Sequence, residues 1–193
     1  RYSWRRYDYH ASAPSNSVFD RLEPLLAQVS KPIQYVGGEH NSVVKDWDSV
    51  PVRWCLSYPD AYEVGQPNLG IAILYGRINE QDGMSCERAY LPWTDMSALM
   101  RERDVPLLSL ESAAPLGSFD VIGFTLAHEL IFTNILETLD LAGIALRADE
   151  RDEDDQRGGD PEQWTLAQIL PSVPAQGPGV LLGFSGAGGR TSG

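Results

Sequence analysis

The chain alternates short, fully apolar runs with stretches whose apolar residues recur every three to four positions. Val52-Arg53-Trp54-Cys55-Leu56-Ser57-Tyr58 carries apolar residues on both faces, the pattern of a strand covered on each side. Pro59-Asp60 ends it, and residues 68–79 follow at helical spacing. In that helix Leu69, Ile73 (or Ala72) and Tyr75-Gly76 are expected to face a sheet, with Gly76 permitting close approach. Residues 86–91 predict a second strand, 96–103 a helix capped by Thr94, 105–110 a short strand or extended segment, and 119–125 another strong strand. Residues 127–141 form the clearest helical pattern, with Leu130, Ile131, Asn134, Ile135, Thr138 and Leu141 near one stripe and Gly143 as its cap. Ile144-Ala145-Leu146 reads as the start of a further strand, and Val180 to Phe184 as a stray one. Upstream, Val18, Leu22, Leu25, Leu26 and Val29 share a helical face interrupted by Pro24, and Gly37-Gly38 makes a turn.

Strands alternating with helices across short loops define βαβ units. The expected fold class is α/β, a mostly parallel sheet flanked by helices, with right-handed crossovers. The organisation read from this pattern is a flexible aromatic and basic arm at 1–17, an N-terminal helix and lead-in at 18–50, the α/β domain at 51–150, and a tail at 151–193. Residues 151–193 hold nine Gly and four Pro, too little apolar surface for the backbone entropy that ordering would cost. Within them, 164–170 is long enough for a helical turn or two.

Composition narrows the function. The 193 residues carry a formal charge of −12, and half of that excess lies in residues 149–162, which hold eight acids and two Arg. Clustered positive charge, the mark of a phosphate-backbone binder, is missing, so direct nucleic-acid binding is not expected. No run approaches the roughly 18 apolar residues of a membrane span, and no secretory signal opens the chain, so a cytoplasmic location is expected. Two cysteines, Cys55 and Cys86, fall short of an all-cysteine zinc site or a cysteine-held iron–sulfur cluster. Cys55 is expected in the core and Cys86 nearer the surface. His10, His40 and His128 are too scattered to suggest a common metal site, and no metal-binding residues are expected.

In an open α/β sheet, ligands bind outside the carboxyl ends of the strands. The loop after the first strand, Tyr58 to Gly70, combines two acids, two Tyr, an amide and two Gly ahead of a helix N-terminus. Its backbone N–H groups would favour an anionic or strongly polar ligand group. It is neither a dinucleotide fingerprint nor a phosphate-gripping GxxxxGK[ST] loop. Two readings of it stand: Asp60 and Asn68 are turn and cap residues, or the loop touches a ligand or partner. Trp93 at the second strand's exit could anchor a core or cover a flat ligand. Thr125, His128 and Glu129 follow the third strand without an HExxH pattern. Ser185 lacks the strand-turn-helix context of a GxSxG nucleophile. No catalytic residues are identified.

Residues from about 22 to 150 resemble the N-terminal region of large bacterial radical SAM proteins with a cobalamin-binding-like domain. The stretches that carry the resemblance include Lys31-Pro32-Ile33-Gln34-Tyr35-Val36-Gly37-Gly38-Glu39-His40-Asn41-Ser42, Asp60-Ala61-Tyr62-Glu63-Val64-Gly65, Asn68-Leu69-Gly70-Ile71, Pro92-Trp93-Thr94-Asp95-Met96 and Phe119-Asp120-Val121-Ile122-Gly123-Phe124. The resemblance implies a Rossmann-like domain ahead of a radical SAM barrel, whose CxxxCxxC cysteines hold the [4Fe–4S] cluster that cleaves S-adenosylmethionine. These 193 residues contain no such motif, so the cluster and S-adenosylmethionine are expected only in a downstream domain, and this chain alone is not expected to be the catalyst. Cobalamin domains of this type use DxHxxG to replace the cofactor's lower ligand. Asp60, Tyr62 and Gly65 occupy those positions here, with Tyr in place of His. A phenol is a poor cobalt ligand at neutral pH, so cobalamin is expected, if at all, without a protein imidazole. The resemblance places a cofactor near Asp60, Tyr62, Gly65, Asn68, Gly70, Trp93, Thr125 and His128.

Three functions follow. The first is an accessory cofactor- or substrate-binding domain of a radical SAM enzyme, with a concave cleft at the sheet's carboxyl edge that side chains of Trp93 and Tyr62 do not fill. The second is a non-catalytic interaction domain that has lost cobalamin binding and docks the barrel or a protein partner by its sheet edge or strand-end loops, leaving an exposed apolar patch. The third is an independent enzyme built on Asp60, Glu63, His128 and Glu129, which requires those side chains to converge.

Overall fold

The computed structural model describes residues 19–126 and 129–147, and the backbone of a strand at 179–184. The aromatic arm, His10, His128, the acidic run from Asp149, the 164–170 interval and Ser185 lie outside the described residues. Four strands, β1 (Val52–Tyr58), β2 (Met84–Tyr90), β3 (Val121–Leu126) and β4 (Gly179–Phe184), form one sheet in the order β2-β1-β3-β4, with every pairing parallel. The helices are α1 (Phe19–Leu26), the single turn α2 (Tyr62–Gly65), α3 (Leu69–Asn79), α4 (Thr94–Arg103) and α5 (Phe132–Leu141). The α/β class and parallel sheet expected from the sequence are what the chain adopts.

Strand order decides where the helices go. From β1 the chain steps outward to β2, then crosses back over β1 to β3. With right-handed crossovers this reversal sends α3 to one face and α4 to the other. The two cores follow that division. Ile71, Tyr75 and Ile78 of α3 pack on Trp54, Leu56, Tyr58, Cys86 and Tyr90. On the opposite face Leu22 and Leu25 of α1, Met96 and Met100 of α4, and Ile135 and Leu139 of α5 pack on Cys55, Ala89, Ile122 and Phe124. The strands' two apolar faces are thus both required, as a parallel sheet demands.

Several local expectations change. In α3 the inward stripe is Ile71, Tyr75 and Ile78, while Leu69 and Ile73 are exposed and a Cβ on Gly76 would meet nothing. The Asn68 side chain accepts from Ile71 N at 3.1 Å and so caps the start of the helix. At α4 the cap position is Trp93, Thr94 is the first helical residue, and no side chain caps the end. The helix expected over 127–141 begins with a 3-10 turn at Glu129–Ile131 and becomes α-helical only at Phe132, leaving Leu130 exposed. Gly143, at φ +70°, ends it as expected. Residues 105–110 form an extended passage with one antiparallel bridge, Leu108 to Pro115, and Ile144 to Leu146 is not a strand. The stray strand is β4, hydrogen-bonded beside β3. Both cysteines are buried, Cys86 as fully as Cys55, and burial pushes both thiols up.

The outer edge of β2 is closed by side chains. Lys45 Nζ donates to Met84 O at 2.6 Å. The Asn79 carboxamide pairs with both backbone groups of Cys86, accepting from N at 3.0 Å and donating to O at 2.9 Å. Leu110 N donates to Arg88 O at 2.7 Å, and the Glu111 carboxylate accepts from Arg88 N and Nε, each at 2.6 Å. Three successive outward-facing positions, Met84, Cys86 and Arg88, are therefore satisfied without another strand, which blocks edge pairing there. The sheet-edge mode of docking expected from the sequence is not available at β2.

Replacing Arg88 by Met leaves the Glu111 carboxylate, whose side chain is fully buried, without its cation. A loss of about 3–5 kcal/mol in urea unfolding is expected. Burial pushes the Glu111 carboxyl up to about 7 against the pull of Arg88. The native state therefore holds this proton more tightly than the unfolded chain does. The stability it contributes is fully present below about pH 4.5 and is lost as pH rises through about 7. Urea midpoints of the parent chain and Glu111→Gln across that window should converge or cross in favour of Gln as pH rises. A parallel pair of curves would contradict the assignment.

Candidate functional site

The reversal of strand order leaves its crevice between the carboxyl ends of β1 and β3, where ligands of open α/β sheets bind. The first loop builds one wall. Pro59 is fully buried, and Asn134 of α5 reaches across to donate to Pro59 O at 2.9 Å. Asn134 appears in the sequence only as a member of the α5 stripe. Its role depends on α5 starting beside the β1 exit, which no local pattern announces.

Asp60 is half-buried, and its Oδ1 accepts from its neighbour Ala61 N at 2.7 Å, a turn-forming role. Asn68 caps α3, and Gly70 is exposed. Gly65 is a packing glycine: a Cβ there would stand 2.7 Å from the Tyr90 ring and 2.9 Å from Tyr58 Cβ. Tyr62 leans on Tyr90 edge to face, ring centroids 5.4 Å apart. Burial pushes its phenol up, and the Glu39 carboxylate nearby adds to the shift. Thr125 is half-buried at the end of β3, and His128 lies outside the described residues. The structure thus brings Tyr62 and Gly65 together around Tyr90, while Asp60 and Asn68 serve the loop's own backbone.

The second wall is a strap from the lead-in. Ser30 N and Oγ donate to Asp95 Oδ2 at 2.9 and 2.8 Å, and Trp93 N donates to Tyr35 Oη at 3.2 Å. Lys31 pairs with Glu63 and lies 5.3 Å over the Trp93 ring. That ammonium holds the Glu63 carboxyl below its usual range. Gly37, at φ +66°, passes so close to Leu110 O that a Cβ would sit 2.3 Å from it. Residues 30–42 therefore join the first and second loops across the end of β2. Sequence reading missed this strap as part of the site, because its partners are 32 to 65 residues away.

Trp93 is 42% exposed, so it does not fill the edge, whereas Tyr62 is turned against Tyr90. A cavity of about 40 Å³ lies at the β2 end, and one of about 220 Å³ lies between α1 and the far end of α4. Both are smaller than the roughly 300–1,000 Å³ typical of small-molecule sites. Exposed large apolar residues gather at the carboxyl end instead: Ile33 and Val36 on the strap, Val64, Leu69 and Ile73 after β1, Trp93 after β2, and Leu130, Phe132 and Leu136 after β3. Asp60 accepts from Ala61 N and Glu63 from Lys31, rather than either sharing a proton with the other. No group of three or more His, Cys, Asp or Glu among the described residues could hold a metal ion.

Comparison with known families agrees with this architecture. Residues 70–158, a little under half of the chain, match the family described as radical SAM proteins, N-terminal. No curated protein and no solved structure gives a significant match. No described helix is long and apolar enough to cross a membrane.

The residues at the DxHxxG positions do not fit a corrinoid whose cobalt is ligated by the protein. Tyr62 is a phenol kept protonated by burial and engaged with Tyr90, and Asp60 is spent on Ala61 N. Gly65→Ala must displace the Tyr90 ring or the first loop. A loss of about 1–3 kcal/mol in thermal or urea unfolding is expected, with a changed near-ultraviolet circular dichroism signal from the tyrosines.

Proposed function

We propose that this chain is a non-catalytic accessory domain of a radical SAM enzyme, and that its carboxyl edge is the face it turns toward the catalytic barrel. The observation that carries the reading is the run of exposed apolar residues over the strand-end loops and the first two turns of the helices that follow them, while the β2 edge is closed by side chains. The family match over residues 70–158 supports an accessory or cofactor-binding role. A domain that closes a site from above supplies a wall that excludes water, and apolar side chains around a polar strap suit that task. The cluster chemistry belongs to the downstream domain, since these residues hold no CxxxCxxC motif.

Were the domain to hold a cobalamin, the loop after β1 would contact it without offering an imidazole. Tyr62 supplies none, and the strap ties the neighbouring Glu63 to Lys31.

Mixing the chain with a separately produced radical SAM catalytic domain of the same family should give a one-to-one complex by gel filtration. Leu130→Asp with Phe132→Asp should weaken it at least about tenfold, whereas Leu146→Asp, on the other exposed segment, should not. Equal binding by both variants would contradict the carboxyl-edge assignment. Incubation with hydroxocobalamin followed by gel filtration should give a protein peak without the visible bands of a protein-nitrogen-ligated cobalt. Bands of that kind would overturn the reading of Tyr62.

A further inference from the structure

The strap over the end of β2 is held differently from the segment that follows it. Of residues 30–36, Gln34 is buried, Tyr35 is half-buried, and the others are exposed. Ile33 and Val36 leave their apolar side chains uncovered, 69% and 43% exposed. The strap's grip is therefore largely polar: Ser30 donates twice to Asp95, Tyr35 Oη accepts from Trp93 N, and Lys31 pairs with Glu63. Beyond Ser42 the grip changes. Val43 N donates to Tyr75 Oη at 2.6 Å, and Lys45 Nζ donates to the carbonyls of Asn79, Gln81 and Met84. Trp47 packs edge-on against the buried Phe119, ring centroids 5.0 Å apart. Between the two segments lie Gly37 and Gly38, at φ +66° and +83°. Gly37 is wedged against Leu110 O, whereas a Cβ on Gly38 would meet nothing. Two adjacent left-handed glycines, one pinned and one free, suit a pivot.

Glu63 is where the strap's contacts meet. It lies in α2, just after β1, and pairs with Lys31, whose ammonium is 5.3 Å from the centroid of the Trp93 ring. The Trp93 and Gln34 side chains stand close enough to the same carboxylate to hold it lower still. One group on the first loop thus gathers the strap and the second loop's tryptophan. Lys31 and Glu63 are both exposed, so dissolved ions or a partner's charged side chain compete for either member. We propose that residues 30–36 are a hinged strap, latched by Glu63 and pivoting at Gly37-Gly38, which lifts as a unit while the chain from Val43 stays on the sheet. A segment with so little buried apolar surface opens at lower cost than the strands beneath it. Lifting it displaces Ile33 and Val36 and uncouples Trp93 from the first loop. The latch therefore sets the shape of the carboxyl edge, whichever partner that edge meets.

Nitroxide labels on the full chain test this by electron paramagnetic resonance. Ile33→Cys places a label on the strap, and Asp48→Cys places one beyond the pivot. Cys55 and Cys86 are fully buried and do not compete for the label. Adding Glu63→Gln removes the charge of the latch at an exposed position. The mobile fraction of the label at 33 should then rise about twofold to fivefold, with the label at 48 unchanged. Raising salt from about 0.1 to 1 M should mobilise the label at 33 in the chain that keeps Glu63, and add little once Glu63→Gln is present. Salt alone carries the test if Glu63→Gln fails to fold. A label at 33 that responds to neither change overturns the proposal. So does an equal rise at 48, which would mean general loosening in place of a hinged strap.

Discussion

The buried pair between Arg88 and Glu111 is the contact on which the architecture leans. β2 is the edge strand of a parallel sheet, and an edge strand presents a row of unpaired amide and carbonyl groups. Glu111 comes from the passage between α4 and β3, more than twenty residues away, and its carboxylate stands where another strand's carbonyl would be. Leu110 N completes the same pairing. The chain between α4 and β3 is thereby drawn along the side of the sheet. That course places Ser112 against the buried Glu87 carboxylate, which also accepts from Trp47 of the lead-in. One charged pair thus organises the edge strand, the long passage and the N-terminal segment. Its desolvation is costly, and the short hydrogen bonds from Arg88 to both oxygens offset only part of that cost, so the Glu111 carboxyl stays raised.

The two ends of the sheet are finished differently. At the amino end Arg53 and Asp120 form a bidentate pair that ties the start of β1 to the approach to β3, with Arg53 also over the Trp47 ring. That end is closed by strong, directional contacts. At the carboxyl end the strap from residues 30–42 joins the first two loops mainly through exposed polar groups, and apolar side chains remain uncovered around it. One edge is thus closed by side chains, the amino end is tied by an ion pair, and the carboxyl end keeps exposed apolar residues. This asymmetry, together with the match to the N-terminal region of radical SAM proteins, supports the accessory role.

Element type was readable where the apolar pattern was strong. β1, β3 and α3 fall within a residue or two of their expected bounds, because a buried parallel strand and an amphipathic helix have distinct periods. Orientation was less legible. In α3 several apolar residues ring the helix, so the pattern allowed more than one inward face, and packing on β1 and β2 selects Ile71, Tyr75 and Ile78. At α5 the 3-10 turn before Phe132 rotates the preceding residues, which turns Leu130 outward although its spacing fits the stripe. Of the residues expected to touch a cofactor, Tyr62 and Gly65 meet around Tyr90, but Asp60 and Asn68 are used up locally. The short-range motif located the loop; it carried no information about which groups the loop would keep for itself.

Reading the chain alone was enough for the α/β alternation, the burial of both sheet faces and the glycine that ends α5 at Gly143. These depend on period, backbone freedom and side-chain chemistry, which are local properties. Tertiary structure alone decided the strand order, the sealing of β2 by Lys45, Asn79 and Glu111, the bridge from Asn134 to Pro59, and the strap over the second strand's end. Each of these joins groups that meet only when the chain closes on itself, and hydrogen bonds between distant residues leave no periodic trace in the sequence.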